Sequence, residues 1–261
     1  MIENETIKHQ LNHKSIRAFK DVSLSEEQLT TLLEVARHTS TSMFMQQFSI
    51  VHITDAKKRQ AIQDVTALNY AGGNGDLFIF VLDLYRNQQI RQQSGNDDGR
   101  LHTTDIFFQA LQDTVLAVQN TLNAAESMGL GGVILGKIND DPQKMVRLLN
   151  LPPLTLPVLG LQVGVPAQKP QLKPRLPLAF TTFENTYQTG FKATDLKAYD
   201  KVVRTYYDLR DANRRIDSFT HQINGKKLAK GWLKRDEIVT VLHQQGLALD
   251  FEGDGQGGAV D

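Results

Sequence analysis

Residues 77–85, Leu-Phe-Ile-Phe-Val-Leu-Asp-Leu-Tyr, form an almost unbroken apolar run. A strand with one wet face alternates polar and apolar residues. A strand without that alternation must be covered on both faces. The run therefore predicts a central strand with other layers on either side. Residues 104–128 add a second constraint. They carry the longest helical pattern, rich in Ala, Leu and Val, with apolar residues on both sides, and they predict a buried central helix.

The remaining elements follow from local signals. Ser25-Glu26-Glu27-Gln28 reads as a capping box opening a helix with Leu29, Leu32, Leu33 and Ala36 on one face. Residues 48–53 read as a strand, and Asp55 caps a helix running to about residue 68. The polar stretch 86–103, centred on Ser94-Gly95-Asn96-Asp97-Asp98-Gly99, reads as a mobile loop. Gly129 stops the long helix, residues 132–136 form a short strand, and Asp141-Pro142 starts a helix with Pro in its first turn. Residues 156–165 read as a strand, and the Pro-rich stretch 166–177 as extended chain. Residues 195–212 read as a basic helix, followed by shorter helices around 215–224 and 235–245. The expectation is an α+β fold with about four strands. Residues 1–250 form a single domain containing a helical basic excursion at 195–247. Residues 251–261 form a flexible, Gly-rich tail.

Composition narrows the chemistry. The chain has 261 residues and no Cys. That excludes a disulfide framework, a thiolate zinc site, an iron–sulfur cluster and a cysteine nucleophile. There is no HExxH, GxSxG or Walker A motif, and no metal site is expected. The acidic N-terminus is not a signal peptide, and no apolar run spans a bilayer. A cytoplasmic protein without a membrane partner is expected. The 29 basic and 29 acidic residues cancel. Yet residues 201–235 hold ten Lys or Arg against three Asp, a net +7. Such a field suits a small polyanion, and no stacking platform for nucleic acid accompanies it.

Five short stretches stand out. His13-Lys14-Ser15-Ile16-Arg17 reads either as a solvated turn or as an anion clamp of planar fork, point charge and hydroxyl. Thr39-Ser40-Thr41-Ser42 is either loop or a row of hydroxyls for a ligand. The Gly-rich stretch 129–136 lies between helix and strand. That order excludes a dinucleotide fingerprint and leaves either a structural turn or close backbone approach to a flat ligand. Lys173-Pro174-Arg175-Leu176-Pro177 holds two cations on stiffened chain. Arg210, Arg214 and Arg215 form either a solvated face or a phosphate contact.

In this order, together with Gly160-Leu161-Gln162-Val163-Gly164-Val165-Pro166, these elements resemble the nitroreductase superfamily, specifically its NADPH-dependent oxygen-insensitive nitroreductase and flavin reductase group. Phe183-Glu184-Asn185-Thr186-Tyr187 and Tyr206-Tyr207 add to the likeness, which spans residues 7–247. The resemblance implies a mainly antiparallel sheet wrapped by helices, an intertwined homodimer, and FMN bound at the dimer interface. It implies ping-pong transfer of a hydride from NADPH through FMN N5 to nitroaromatics, quinones, azo compounds or flavins. No protein group acts as a nucleophile on that scheme.

By position, the resemblance puts His13, Lys14, Ser15 and Arg17 on FMN, with Arg17 stabilising the reduced ring. Thr41 reaches FMN from the other subunit, Asn69 lies near the ring, and Ile134, Leu135, Gly136 and Lys137 border it. Lys173 and Arg175 take the FMN phosphate, and Arg210 with Arg214 or Arg215 takes the NADPH 2′-phosphate. Departures are Lys14 where some relatives have Arg, and Gly136-Lys137 in place of Gly-Gly. The Arg cluster is also one residue shorter. Two other readings remain: an FMN reductase supplying reduced flavin to a partner, and a non-catalytic flavin-binding module.

Overall fold

The computed structural model describes residues 1–208, 214–229 and 231–252. Its elements are α1 (Glu5–Leu11), α2 (Glu26–Arg37), β1 (Phe48–Ile53), α3 (Ala56–Thr66), β2 (Asp76–Asp83), α4 (Tyr85–Gln93), α5 (Thr104–Ser127), β3 (Gly131–Leu135), α6 (Pro142–Leu148), β4 (Thr155–Gly164), α7 (Lys197–Arg204), β5 (Tyr207–Asp208), β6 (Arg214–Arg215), α8 (Phe219–Ile223) and α9 (Ile238–Gln244). The chain divides into two compact units. One comprises residues 1–11, 15–168 and 233–261, and the other residues 12–14 and 169–232.

The larger unit holds a four-stranded sheet in the order β1-β2-β4-β3, antiparallel throughout. The apolar run at 77–85 is its second strand, and all but the first residue of β2 are buried. Different clusters cover the two faces. Leu77, Ile79 and Val81 pack with Ile62 of α3 and Met145 of α6, whereas Phe78 and Phe80 pack with Ala117, Val118 and Leu122 of α5. This explains why the strand lacks alternation. A third cluster joins Ile106, Phe107 and Ala110 to Val241, Leu242 and Leu247 around α9.

Local signals set the boundaries. Ser25 and Gln28 close a reciprocal capping box on α2, and Asp55 accepts from Lys58 N–H at the start of α3. Ala67, at φ 49°, ends α3 just short of the expected point. Gly129, at φ 75°, lets Leu130 N–H return to Ala125 O and stops α5.

Two expectations are corrected. Residues 86–103 are not one loop: α4 occupies Tyr85–Gln93, and a 3-10 turn follows at Arg100–His102. The helix has no apolar stripe, and polar side-chain bonds hold it instead. Gln88 is buried and donates to Asp97 at 2.6 Å, Arg86 donates to Gln46 O at 2.7 Å, and Arg91 donates to Asn96 O at 2.6 Å. The basic helix expected over 195–212 ends at Arg204. Tyr207 and Asp208 instead pair with Arg215 and Arg214 as a short antiparallel ladder. Thr205, Tyr206 and Tyr207, directly after α7, are residue types that favour extended chain, which shortens the helix. The next helix begins only at Phe219, where Ser218 accepts from His221 N–H.

In the smaller unit, Asp200 of α7 ties α8 in place by accepting from Thr220 N–H at 3.0 Å and from the Thr220 hydroxyl at 2.5 Å. Tyr199 meets Phe219 edge-on at 5.5 Å. Among the described residues no helix is long and apolar enough to cross a membrane. Of the expected tail at 251–261, residues 253–261 lie outside the described residues.

Candidate functional site

The stretch beginning at Ser15 is stitched to the sheet. Ser15 pairs with Gly132 on the free edge of β3, and Ile16 N–H donates to Gly132 O at 2.9 Å. Further along, Lys20 N–H donates to Val165 O and Ala167 N–H to Ala18 O, each at 2.9 Å. A Cβ on Gly131 would stand 2.4 Å from Ile16 Cγ1, and one on Gly132 would stand 2.5 Å from Leu122 Cδ1. Both glycines are therefore structural. They let the N-terminal stretch and the long helix press against β3. Gly136 differs: it is exposed, and its nearest neighbour in the Cβ direction is Leu159 Cδ2 at 4.0 Å.

Arg17 emerges from this seam half-buried. Its Nε is buried without a hydrogen-bond partner among the described residues, and its guanidinium carbon sits 6.0 Å from the Tyr70 ring centroid. A buried charged donor left unpaired is costly, so this Nε keeps hydrogen-bonding capacity that an incoming acceptor could use. The Tyr70 loop is itself fixed from two sides. Buried Gln162 accepts from Gly72 N–H at 3.0 Å and donates to Asn74 O at 2.7 Å. Arg59 donates to the carbonyls of Ile53, Gly72, Gly73 and Gly75. Burial pulls the Arg59 guanidinium below its ordinary pKa, and Asp76 opposes that shift.

The other expected residues fall as follows. Ser15 and Arg17 belong to the larger unit with Thr41, Asn69, Ile134, Leu135, Gly136 and Lys137. His13, Lys14, Lys173, Arg175 and Arg215 belong to the smaller one. Ile134 is half-buried and Leu135 buried. Asn69 is exposed, and its carbonyl accepts from Gln63 Nε2 at 2.7 Å. The Lys137 ammonium turns to Asp140 at 3.1 Å. Lys173 and Arg175 are exposed, and Arg175 donates to Lys173 O at 2.7 Å. Arg215 is exposed, and Arg214 enters through its backbone as part of β6. Arg210 lies outside the described residues.

Thr41 is more committed than the hydroxyl row suggested. Its Oγ1 donates to Asp113 at 2.6 Å and accepts from Gln46 N–H at 2.8 Å. Asp113, buried in α5, also accepts from Ser42 N–H at 2.9 Å and from Gln47 Nε2 at 3.4 Å. That carboxylate holds a loop in which Met43, Phe44 and Gln46 all have positive φ while Met43 and Phe44 point to solvent. Sequence reasoning missed Tyr70, Arg59, Gln162 and Asp113. A signal existed for two of them: Asp113 is the lone charge between Asp105 and Glu126 of an apolar helix, and Gln162 is a lone amide in an apolar strand.

The sequence signature described as "Nitroreductase family" matches residues 11–165, and that described as "Nitroreductase family, C-terminal domain" matches residues 173–250. A Bacillus subtilis protein named FMN reductase (NADPH) is 39% identical over 226 residues, covering 84% of this chain and 90% of that protein. A Salmonella typhimurium protein named oxygen-insensitive NADPH nitroreductase is 35% identical, covering 93% and 98%. Among solved structures, the NADPH:FMN oxidoreductase of Vibrio harveyi complexed with NAD+ superposes with a TM-score of 0.83 at 31% identity, covering 94% of this chain and 99% of that one. With a fold that superposes on that structure and a signature match over more than half of its length, the chain belongs to the nitroreductase family.

Proposed function

We propose that this chain is an FMN-dependent NADPH oxidoreductase that delivers electrons to nitroaromatics, quinones, azo compounds or flavins. The observation that carries the reading is the buried, unpartnered Nε of Arg17 on a segment bonded to the Gly-rich strand. It supports a site for a flat ligand with an electron-rich edge, and the names of the relatives supply the cofactor class.

The residues present fit FMN. Arg17 offers a fixed cation and an unsatisfied donor for the pyrimidine edge, where negative charge develops on reduction. Ser15 adds a hydroxyl, and exposed Gly136 permits close backbone approach. Lys14, Lys173 and Arg175 supply positive charge for the phosphate and His13 a ring N–H donor, with Arg175 oriented by the Lys173 carbonyl. Asn69, Ile134, Leu135 and Lys137 border the ring on this reading. Thr41 contributes its one remaining lone pair or its methyl group, because Asp113 and Gln46 occupy the rest of its hydroxyl. When bound, FMN would supply the redox chemistry, hydride acceptance from NADPH and onward electron transfer, that no side chain of this chain offers. On this reading Arg210, with Arg214 or Arg215, takes the 2′-phosphate of NADPH.

Residues 1–250 then act as one FMN-binding domain of a cytoplasmic homodimer. The exposed apolar residues Phe108, Val115 and Leu116 along α5, with Met43 and Phe44 nearby in sequence to the Thr/Ser row, support pairing of two copies. The relative named FMN reductase favours a second reading, supply of reduced flavin to a partner enzyme. Purified protein is expected to be yellow, to bleach with NADPH, and to recover its colour with acceptor. Parallel double-reciprocal lines support ping-pong turnover. Faster turnover of free FMN than of nitrofurazone and quinones selects the second reading, and a colourless protein that takes up no FMN refutes both.

A further inference from the structure

Beside exposed Gly136, three cations meet two carboxylates. The Lys137 ammonium lies 3.1 Å from Asp140 Oδ2, and Arg235 Nη2 lies 2.8 Å from Asp140 Oδ1. Lys234 Nζ lies 2.8 Å from Asp141 Oδ2, and Arg147 adds its positive field to Asp141. Arg235 also donates to Gly136 O at 3.3 Å, so the group is anchored to the glycine's own backbone. The cations outnumber the two carboxylates they pair with, and Asp236 and Glu237 complete the turn that carries Lys234 and Arg235. The Lys137, Lys234 and Arg235 side chains remain 44%, 50% and 43% exposed, so each faces its carboxylate on one side and solvent on another.

Exposed ion pairs add little to stability, so holding a turn does not account for three of them. What the arrangement does create is a rim of three half-exposed cations, pre-oriented by Asp140 and Asp141, next to a backbone position that a flat molecule can approach. We propose that this rim, with Lys137 as its determining member, favours electron acceptors that carry an anionic group, a carboxylate or sulfonate on an aromatic ring. The inference rests on the reading in which Gly136 and Lys137 border bound FMN. Lys137 is a specificity-determining residue on this view. It offers a charge-assisted hydrogen bond to the anionic substituent while Asp140 keeps the ammonium near the glycine.

The test uses the oxidised, FMN-loaded protein and two probes of one ring size, para-nitrobenzoate and para-nitrobenzamide, with binding measured by calorimetry. The wild type binds the benzoate more tightly than the amide. Lys137→Gln lowers that benzoate-over-amide preference about fivefold, the upper range for a half-exposed charge pair. Lys137→Arg restores it, and raised ionic strength shrinks it in the wild type. The ratio of kcat/KM for the two acceptors follows the same order. Equal binding by the wild type, or a preference that Lys137→Gln leaves intact or Lys137→Arg fails to rescue, overturns the inference while FMN loading upholds the oxidoreductase reading. A protein that takes up no FMN overturns that reading and this inference with it.

Discussion

The Arg17 guanidinium carbon stands 6.0 Å from the centroid of the Tyr70 ring, a cation–π distance, while its Nε is buried without a partner. The ring steadies the cation from one side and leaves hydrogen-bonding capacity unused. Arg17→Ala is therefore expected to weaken FMN binding by about ten- to a hundredfold, the equivalent of roughly 1.5–3 kcal/mol for one bond to a charged group. Arg17→Lys should recover only part of the loss, because an ammonium has no planar fork. Fluorescence titration of the apoprotein with FMN measures both, and wild-type affinity in Arg17→Ala would remove Arg17 from the site.

For NADPH, a 2′-phosphate contact predicts selective damage. Arg215→Ala, and independently Arg210→Ala, should raise the KM for NADPH about tenfold or more while changing that for NADH far less. Steady-state assays with both donors decide it. Equal effects on the two cofactors would show that these side chains do not read the phosphate.

Asp113 is expected to matter for stability although it lies on no recognisable motif. Three donors, from Thr41, Ser42 and Gln47, converge on its buried carboxylate. Asp113→Ala strands them and should cost about 3 kcal/mol or more, visible in chemical denaturation. Release of the positive-φ stretch at Met43 to Gln46 should also make this loop the first site of limited proteolysis. Unchanged stability and an intact loop would contradict the role given to this carboxylate.

The Thr220 hydroxyl and amide hold the Asp200 carboxyl below its ordinary range, assisted by Arg204. The folded chain thus binds fewer protons at this group than the unfolded chain. Its contribution is complete above the unfolded value, about 3.9, and disappears as the pH falls through the lower folded value. Asp200→Asn should accordingly lower Tm at neutral pH, with the gap to wild type closing in acid. A gap that widened as the pH fell would invert the assigned sign, and one that did not change would remove Asp200 from the pH dependence.

Much of the chain's organisation is written in near neighbours. The capping box at Ser25, the Asp55 cap, the Gly129 stop and the strand at 48–53 each depend on residues within one turn or one strand, and each lies where local chemistry predicts. The fully apolar β2 announces a strand covered on both faces for the same reason. The cationic clusters at 13–17 and 173–175 were legible as chemistry, because charge and stiffness are carried by residue type. Which atoms of them remain open for a ligand was not.

Tertiary structure alone decided the rest. Thr41 and Asp113 are 72 positions apart, and only folding shows that the hydroxyl is spent on a carboxylate. Helix α4 lacks an apolar stripe, so no periodicity reveals it, and its support comes from Asp97 and from backbone carbonyls near β1. Gly131 and Gly136 look alike in sequence, yet one is filled by Ile16 and the other opens to solvent. Residue type and short-range periodicity specify elements and charge. Which polar groups are already satisfied depends on partners that the chain meets only when distant segments pack, and that decides which groups are left for a ligand.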